Sequence, residues 1–493
     1  MGYRLRKGMH TSPPRPVGLC RAPSLWRRAV AGVLLAVMLL GHVWVLPAQA
    51  FFGLGSFGIK DEKELGRKFE VLIRSQLPLV EDPEVSLYVK SIVDRLVKNI
   101  PPQPFTFTSG VILHNAMNAF AVPGGHVFVF TGLIMQLQSE AELAGVLAHE
   151  LSHVTQRHVA SRIERGRYLT VATLLLAVAG IAAGGAGGGA LAMGAMGAGQ
   201  STMLNYSRID ENEADHIGYQ YLVAAGYPPQ GMVGGFQKIR KKSWMSGSSV
   251  PTYLSTHPDL GDRINGIVAR INAAPASVRN RKEDNTRFER VKTLLWARYG
   301  DIQVARQMFQ SAPAKDCLAR MGSAMVLARE NKVQEATAAF DKALMCRPDD
   351  ELILREAGTF HYRKGDTAKA EQLLKAAMRK DNRDYMARFF YARLLDETGR
   401  TLDAAPYYTD VLRAIPQDQE VHAAYARSLG RSGKTFAAYL HMAYSALYRN
   451  DKKRTKQYAD QARGQMRTPA DQSDMSRFEA RYKERKEIWD EGM

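Results

Sequence analysis

The sequence predicts an α+β chain, mainly α, in which a domain built on a small β-sheet precedes an α-helical repeat solenoid. Three observations carry that prediction. Turn residues recur every 34 positions in the C-terminal half, β-type alternation brackets Pro123-Gly124-Gly125, and a capped apolar helix starts after Ser139. With 493 residues, 45 % hydrophobic and 24 % charged, the chain can bury two or three cores and is not a disordered protein. We divide it into an export segment (1–50), a sheet-containing domain (51–286), the repeats (287–453) and a helical tail (454–493).

The first fifty residues carry Arg4, Arg6, Lys7, Arg15, Arg21, Arg27 and Arg28 without one acid, then an apolar run from Ala29 to Leu40 and Ala48-Gln49-Ala50. That is the layout of a secretory signal peptide cleaved before Phe51; an uncleaved membrane anchor is the alternative. Removing seven cations from +18 leaves +11, which favours anionic surfaces or acidic partners. No nucleic-acid module accompanies the charge, so no nucleic-acid partner is expected, and peripheral membrane contact stays open. Cys317 and Cys346 remain in an exported, oxidising compartment.

Asp61 to Asn99 reads as helical. "PPQPFTFTSGVILHN" gives a turn and a strand, and "AFAVPGGHVFVFTG" gives two short strands joined at Pro123-Gly124-Gly125. Ser139-Glu140-Ala141-Glu142 is a capping box, so the helix it opens carries His149 and His153 in its middle. Residues 168–204 combine an apolar start with a Gly/Ala-rich continuation, read as a mobile cover near the site, with insertion into lipid as the other reading.

Farther on, Asn331, Gly365, Gly399 and Gly433 lie 34 apart; five residues after each comes an alanine (Ala336, Ala370, Ala404, Ala438), and nine after each a large apolar residue (Phe340, Leu374, Tyr408, Met442). Gly300, Ala305 and Phe309 keep the same offsets one unit earlier. The turn residue allows the reversal and the alanine lets paired helices approach, so stacked hairpins bury one continuous core. This pattern resembles the tetratricopeptide repeat, and such arrays offer concave surfaces for partners or substrates. Cys317 lies 14 residues before Asn331 and Cys346 lies 15 after it, so an antiparallel hairpin sets them side by side for a disulfide.

The chemistry centres on His149-Glu150-Leu151-Ser152-His153. Positions i and i+4 of a helix lie about 40° apart in projection, so both histidines can share one metal with Glu150 beside it. A catalytic zinc needs a third protein ligand and one open position. The metzincin extension is absent, because Gln156 and Val159 stand where glycine and histidine would be. "IDENEADHIG" supplies acids instead. With Asp210 as N-cap and Glu213 as its reciprocal third residue, Glu211 and Asp215 remain as an i, i+4 pair on one face. Glu211 is therefore assigned to zinc and Asp215 to orienting a ligating histidine.

These residues resemble the zinc endopeptidases that include the HtpX-type heat-shock proteases and the prenyl-protein endopeptidase. The match comprises Asn118-Ala119-Phe120-Ala121 with Pro123-Gly124-Gly125, the motif at 149–153, Glu211 with Ala214-Asp215, and Ser255-Thr256-His257-Pro258 followed by Arg263. The resemblance implies a gluzincin-like zinc metallopeptidase domain with one zinc per chain, Arg263 supporting the ligands beside Asp215, and substrate contact at Asn118, Pro123, Gly124 and Gly125. A signal peptide, a peptidase domain and tetratricopeptide repeats in that order resemble the family's exported bacterial members. That layout implies a periplasmic enzyme, peripheral to the outer membrane, which degrades misassembled outer-membrane proteins and assists their assembly. It also implies the β-barrel assembly machinery as a partner through the repeats.

In this reading Glu150 carries the proton between the attacking water and the leaving amine. His257 either donates to the developing oxyanion or plugs the fourth metal position. Two other classes compete: a chaperone-like assembly adaptor with a latent zinc site, and a membrane-embedded protease using 29–46 and 168–183 as spans.

Overall fold

A computed structural model of the chain describes residues 57–80, 82–164, 206–245 and 252–490. The expected signal peptide and the Gly/Ala-rich 168–204 segment lie outside the described residues. Among the described residues no helix is long and apolar enough to cross a membrane.

Two helices, α1 (Ile59–Gln76) and α2 (Pro83–Val97), come first. Asp82 caps α2 by accepting from the Glu84 N–H at 3.0 Å, with Pro83 at the first helical position. The helix buries Val85, Tyr88, Val89, Ile92, Val93 and Leu96, one 3.6-period face. Strands β1 (Thr108–Ile112), β2 (Ala119–Val122) and β3 (His126–Phe130) form a sheet of order β1-β3-β2, β1 parallel to β3 and β2 antiparallel to it. The β2–β3 hairpin turns on Gly124 (φ 81) and Gly125 (φ 96), a conformation only glycine adopts without strain.

Pro123, Gly124 and Gly125 are buried under α1, where a Cβ on Gly66 would overlap the Pro123 carbonyl, and against Phe105 and Thr106. They pack α1 against the sheet.

Next come α3 (Thr131–Gln136), the motif helix α4 (Glu140–Thr155), α5 (His158–Glu164), α6 (Arg208–Ala224), α7 (Gln230–Met245), α8 (Thr252–Thr256), α9 (Leu260–Ala273) and the short α10 (Ala276–Arg279). Ser139 caps α4 by accepting from the Glu142 N–H, whereas the Glu142 carboxylate accepts from Gln138 N–H at 2.7 Å. Every α4 residue from Ala141 to Val154 is buried, so its polar residues must find partners inside the protein.

The repeats pair α11 (Thr286–Tyr299) with α12 (Ile302–Gln310), α13 (Cys317–Arg329) with α14 (Val333–Cys346), α15 (Glu351–Arg363) with α16 (Thr367–Lys380), α17 (Tyr385–Glu397) with α18 (Thr401–Ala414), and α19 (Gln419–Arg431) with α20 (Thr435–Tyr448). The turn residues Asn331, Gly365, Gly399 and Gly433 all take positive φ. Ala336, Ala370 and Ala404 are fully buried, as are Phe340, Leu374 and Tyr408 to within 1 %. Cys317 and Cys346 are disulfide-bonded across the α13–α14 hairpin, with Cα atoms 5.6 Å apart.

The fifth unit departs from the pattern. Ala438 and Met442 are only half-buried, while Phe436, Leu440 and Ala443 are buried. The reason is that α20 also packs on α21 (Lys452–Gln465) and α22 (Pro469–Asp490), sharing a core with Ala459, Ala462 and Phe478.

A buried ion-pair network joins α2 to the repeats. Arg355 meets Glu84, Glu356 (2.9 Å) and Asp384 (3.4 Å). Arg298 meets Asp82 and Glu356 (2.6 Å), and Arg290 meets Asp350 (3.2 Å) and Glu351 (2.7 Å).

Candidate metal centre

Helix α4 directs His149, Glu150 and His153 toward α6, which passes so close that a Cβ on Gly218 would lie 3.1 Å from the His149 Cα. That approach sets Glu211 and Asp215 of α6 opposite the histidines. From the segment after α8 comes His257, and from α9 comes Arg263. His149, His153, Glu211 and His257 are at most 2 % exposed, and one ligand atom from each lies within 4.8 Å of the others.

The separations within this cluster test its fit to a metal. His149 Nε2 is 3.1 Å from His153 Nε2 and 3.3 Å from His257 Nδ1; Glu211 Oε1 is 2.9 Å from His257 Nδ1 and 3.5 Å from His153 Nε2. Ligand atoms at tetrahedral corners about 2.05 Å from zinc are separated by about 3.3 Å. These four separations are those of ligand atoms around one tetrahedral metal. Glu211 Oε2 is ion-paired with the buried Arg263 guanidinium, which leaves Oε1 as the oxygen turned to the histidine nitrogens.

Partners behind the cluster fix each ring. His149 Nδ1 is 3.0 Å from Asp215 Oδ1, and Asp215 takes a two-pronged contact from Arg263 at 2.8 and 2.7 Å. With Nδ1–H donating to Asp215, His149 Nε2 presents a lone pair to the cluster. Burial would raise the Asp215 pKa, but Arg263 and His149 overcome it and hold the carboxyl well below its usual range. His153 Nδ1 lies 2.8 Å from His158 Nδ1, and His158 Nε2 lies 3.3 Å from Glu213 Oε2. Tyr206 stacks on His153 at 3.7 Å and Tyr253 on His257 at 4.4 Å.

Glu150 is 1 % exposed, its Oε1 lacks a hydrogen-bond partner and lies 3.6 Å from His257 Nε2. Burial pushes its pKa up to about 7, against the lowering pull of His257. For His149 and His153 burial pushes the pKa down, assisted by the Arg263 charge at His149 and by His149 at His153, so both rings stay neutral and able to ligate. Burial opposes charge on His257 as well, yet the Glu211 and Glu150 carboxylates raise its pKa.

The capping assignment on α6 needs correction. Ser207 is the N-cap and Asp210 its reciprocal partner, one turn earlier than the sequence reading put it. The face carrying Glu211 and Asp215 is unchanged, but Glu213 is not a cap residue; it faces His158. In the sequence His158 shows no partnered spacing and reads as a structural or surface residue, and Tyr206 and Tyr253 carry no signal. On a continuing helix His158 would point about 140° away from His153, but Arg157 adopts φ 53 and folds α5 back beneath the site. No spacing rule on a straight helix finds that contact. Asn118, at the start of β2, is buried, with Oδ1 lacking a hydrogen-bond partner, and is not among the cluster residues.

Comparison with known proteins gives the lineage. The model of peptidase family M48 matches residues 83–271, and a tetratricopeptide repeat model matches 361–429. The beta-barrel assembly-enhancing protease of Escherichia coli K12 is 28 % identical over 66 % of this chain and 70 % of its own length; that of Yersinia pestis is 28 % identical over 82 % and 90 %. The metalloprotease LoiP of Escherichia coli is 31 % identical over 39 % of this chain and 73 % of its own. The chain belongs to peptidase family M48. The M48 match runs from the start of α2 into α9 and takes in Glu150, the four clustered residues, Asp215 and Arg263. An M48 peptidase domain followed by tetratricopeptide-like helical repeats is thus the architecture.

Proposed function

We propose that this chain is a periplasmic zinc endopeptidase that acts on misfolded or misassembled outer-membrane proteins and supports their assembly. The observation that carries the enzymatic part is the convergence of His149, His153 and Glu211 at tetrahedral separations, with Glu150 beside them. The cellular part rests on the similarity to the beta-barrel assembly-enhancing proteases and on the signal-peptide-like N-terminus. The repeats are the surface for clients and for an assembly-machinery partner.

His149, His153 and Glu211 are the ligands in this reading, with Asp215 and Arg263 holding His149. Zinc bound there supplies Lewis acidity toward a carbonyl oxygen and lowers the pKa of water. Glu150, poised near pH 7 by burial, takes a proton from the attacking water and returns it to the leaving amine. Beyond β3, strand β2 has no strand partner among the described residues, so its free edge can pair with an extended peptide, with Asn118 at its start.

His257 fits a plug better than an oxyanion donor. Its Nδ1 stands among the ligand atoms and its Nε2 stands toward Glu150, filling the space that a water between metal and base needs. Client binding would then have to move His257 before cleavage. His257→Ala should raise basal casein cleavage and self-digestion; a fall of about 10² to 10³ would assign it to the transition state instead.

A further inference from the structure

The last helix of the chain returns to the first helix of the peptidase domain, and the cleft between them is charged in an unbalanced way. It encloses about 80 Å³ between α1, the end of α20 and α22. Four guanidinium groups line it, Arg67, Arg74, Arg481 and Arg485, against two carboxylates, Glu70 and Glu484. Both carboxylates are already committed: Arg67 meets Glu484 at 3.0 Å and Arg74 meets Glu70 at 3.1 Å.

Arg481 and Arg485 have no carboxylate within ion-pair distance among the described residues. Arg481 reaches only the neutral Tyr448 hydroxyl. Half-buried Arg485 has its pKa pushed down by burial, which Glu70 and Glu484 do not offset. Two unmatched cations facing one cleft, one of them partly desolvated, cost stability unless an anion joins them.

We propose that this cleft binds a dianionic phosphate group, held by Arg481 and Arg485 with the Tyr448 hydroxyl as a further donor, and so ties α22 to α1. Charge decides the class. The cleft carries two surplus positive charges, which a phosphate monoester at about −1.5 to −2 neutralises, whereas a carboxylate leaves one unmatched. Guanidinium forks also match phosphate oxygens in pairs. The volume admits one such group.

Isothermal titration of the mature full chain with inorganic phosphate tests this. One site per chain is expected, weakened at least about tenfold, or about 1.4 kcal/mol, by Arg481→Gln and by Arg485→Gln, while acetate binds more weakly than phosphate. Arg481 is exposed, so its variant should keep the parental circular dichroism and casein cleavage even if Arg485→Gln folds poorly. Vesicles separate the sources of the phosphate. Retention on phosphatidic acid but not phosphatidylcholine vesicles, competed by inorganic phosphate, assigns a lipid headgroup; phosphate binding without vesicle retention assigns a soluble phosphate ester. No phosphate binding, parental binding by the well-folded Arg481→Gln variant, or acetate binding as tightly as phosphate overturns the proposal.

Discussion

At the centre on α4, His149, His153, Glu211 and His257 turn nitrogen and oxygen lone pairs toward one another at 2.9–3.6 Å. Between α2 and the repeats, by contrast, Arg290, Arg298 and Arg355 each sit among carboxylates. Both clusters are buried, and both cost desolvation. The difference is what completes them. The second pairs each of its cations with carboxylates and works as a joint between domain and repeats; the first has one cation of its own, Arg263, held by Asp215 and Glu211 Oε2, while the histidine nitrogens and Glu211 Oε1 face one another and can take a metal. A buried polar cluster marks a binding site when ligand atoms are left facing one another and a structural joint when every charge finds its opposite.

Breaking the joint should give the largest loss of stability. Arg355→Met removes the cation shared by Glu84, Glu356 and Asp384; Glu356 keeps Arg298 and Glu84 keeps Arg290, but buried Asp384 is left without a cation, an expected cost of about 3 kcal/mol. Urea denaturation with a chelator present measures it. A change within about 0.5 kcal/mol would show that the network is not a joint.

That joint was illegible in the sequence, and the reason is distance along the chain. Glu84 and Arg355 are 271 residues apart, and no local pattern pairs them. The motif at His149-Glu150 and the β2–β3 hairpin were legible because their geometry is set within a few residues. The α6 face survived a mistaken cap because Glu211 and Asp215 share a side of the helix wherever it begins. The packing of Pro123-Gly124-Gly125 against α1 was not legible, because a glycine turn looks the same whatever lies against it. Asp316, Asp350, Asp384 and Asp418 cap successive repeat helices at the same 34-residue period, a visible series that the turn glycines overshadowed.

The metal centre should respond in affinity rather than stability. Asp215→Asn and His158→Gln remove the groups that orient His149 and His153, so each should weaken zinc binding by about 10- to 100-fold in competition with a chromophoric chelator. Asp215 should cost more, because it also holds Arg263. Glu213→Gln, whose side chain is 49 % exposed, should cost least. Parental affinity in His158→Gln would remove the contact behind His153 from the account.

An effect confined to acid pH should come from a polar pair with neither kind of completion. His422 and His441 meet Nδ1 to Nδ1 at 2.8 Å. Burial pushes both pKa values below the ordinary 6.5; the Pro416 carbonyl opposes this at His422, and His422 adds to it at His441. Below pH 6.5 the unfolded chain binds protons that the folded pair refuses. Stability is therefore full above that pH and falls as pH drops, by at most about 1.4 kcal/mol per unit for each proton. His441→Gln should flatten the slope of stability against pH between about 6.5 and 4, and an unchanged slope would place the titration elsewhere.

The most direct test of the central claim pairs zinc content with casein cleavage in the parent and in Glu150→Gln. The account predicts about one zinc per chain in both, with cleavage in the variant reduced by at least about 10², because the ligands remain and only the proton carrier is lost. Near-parental cleavage by Glu150→Gln, or a parent that holds no zinc, would contradict it.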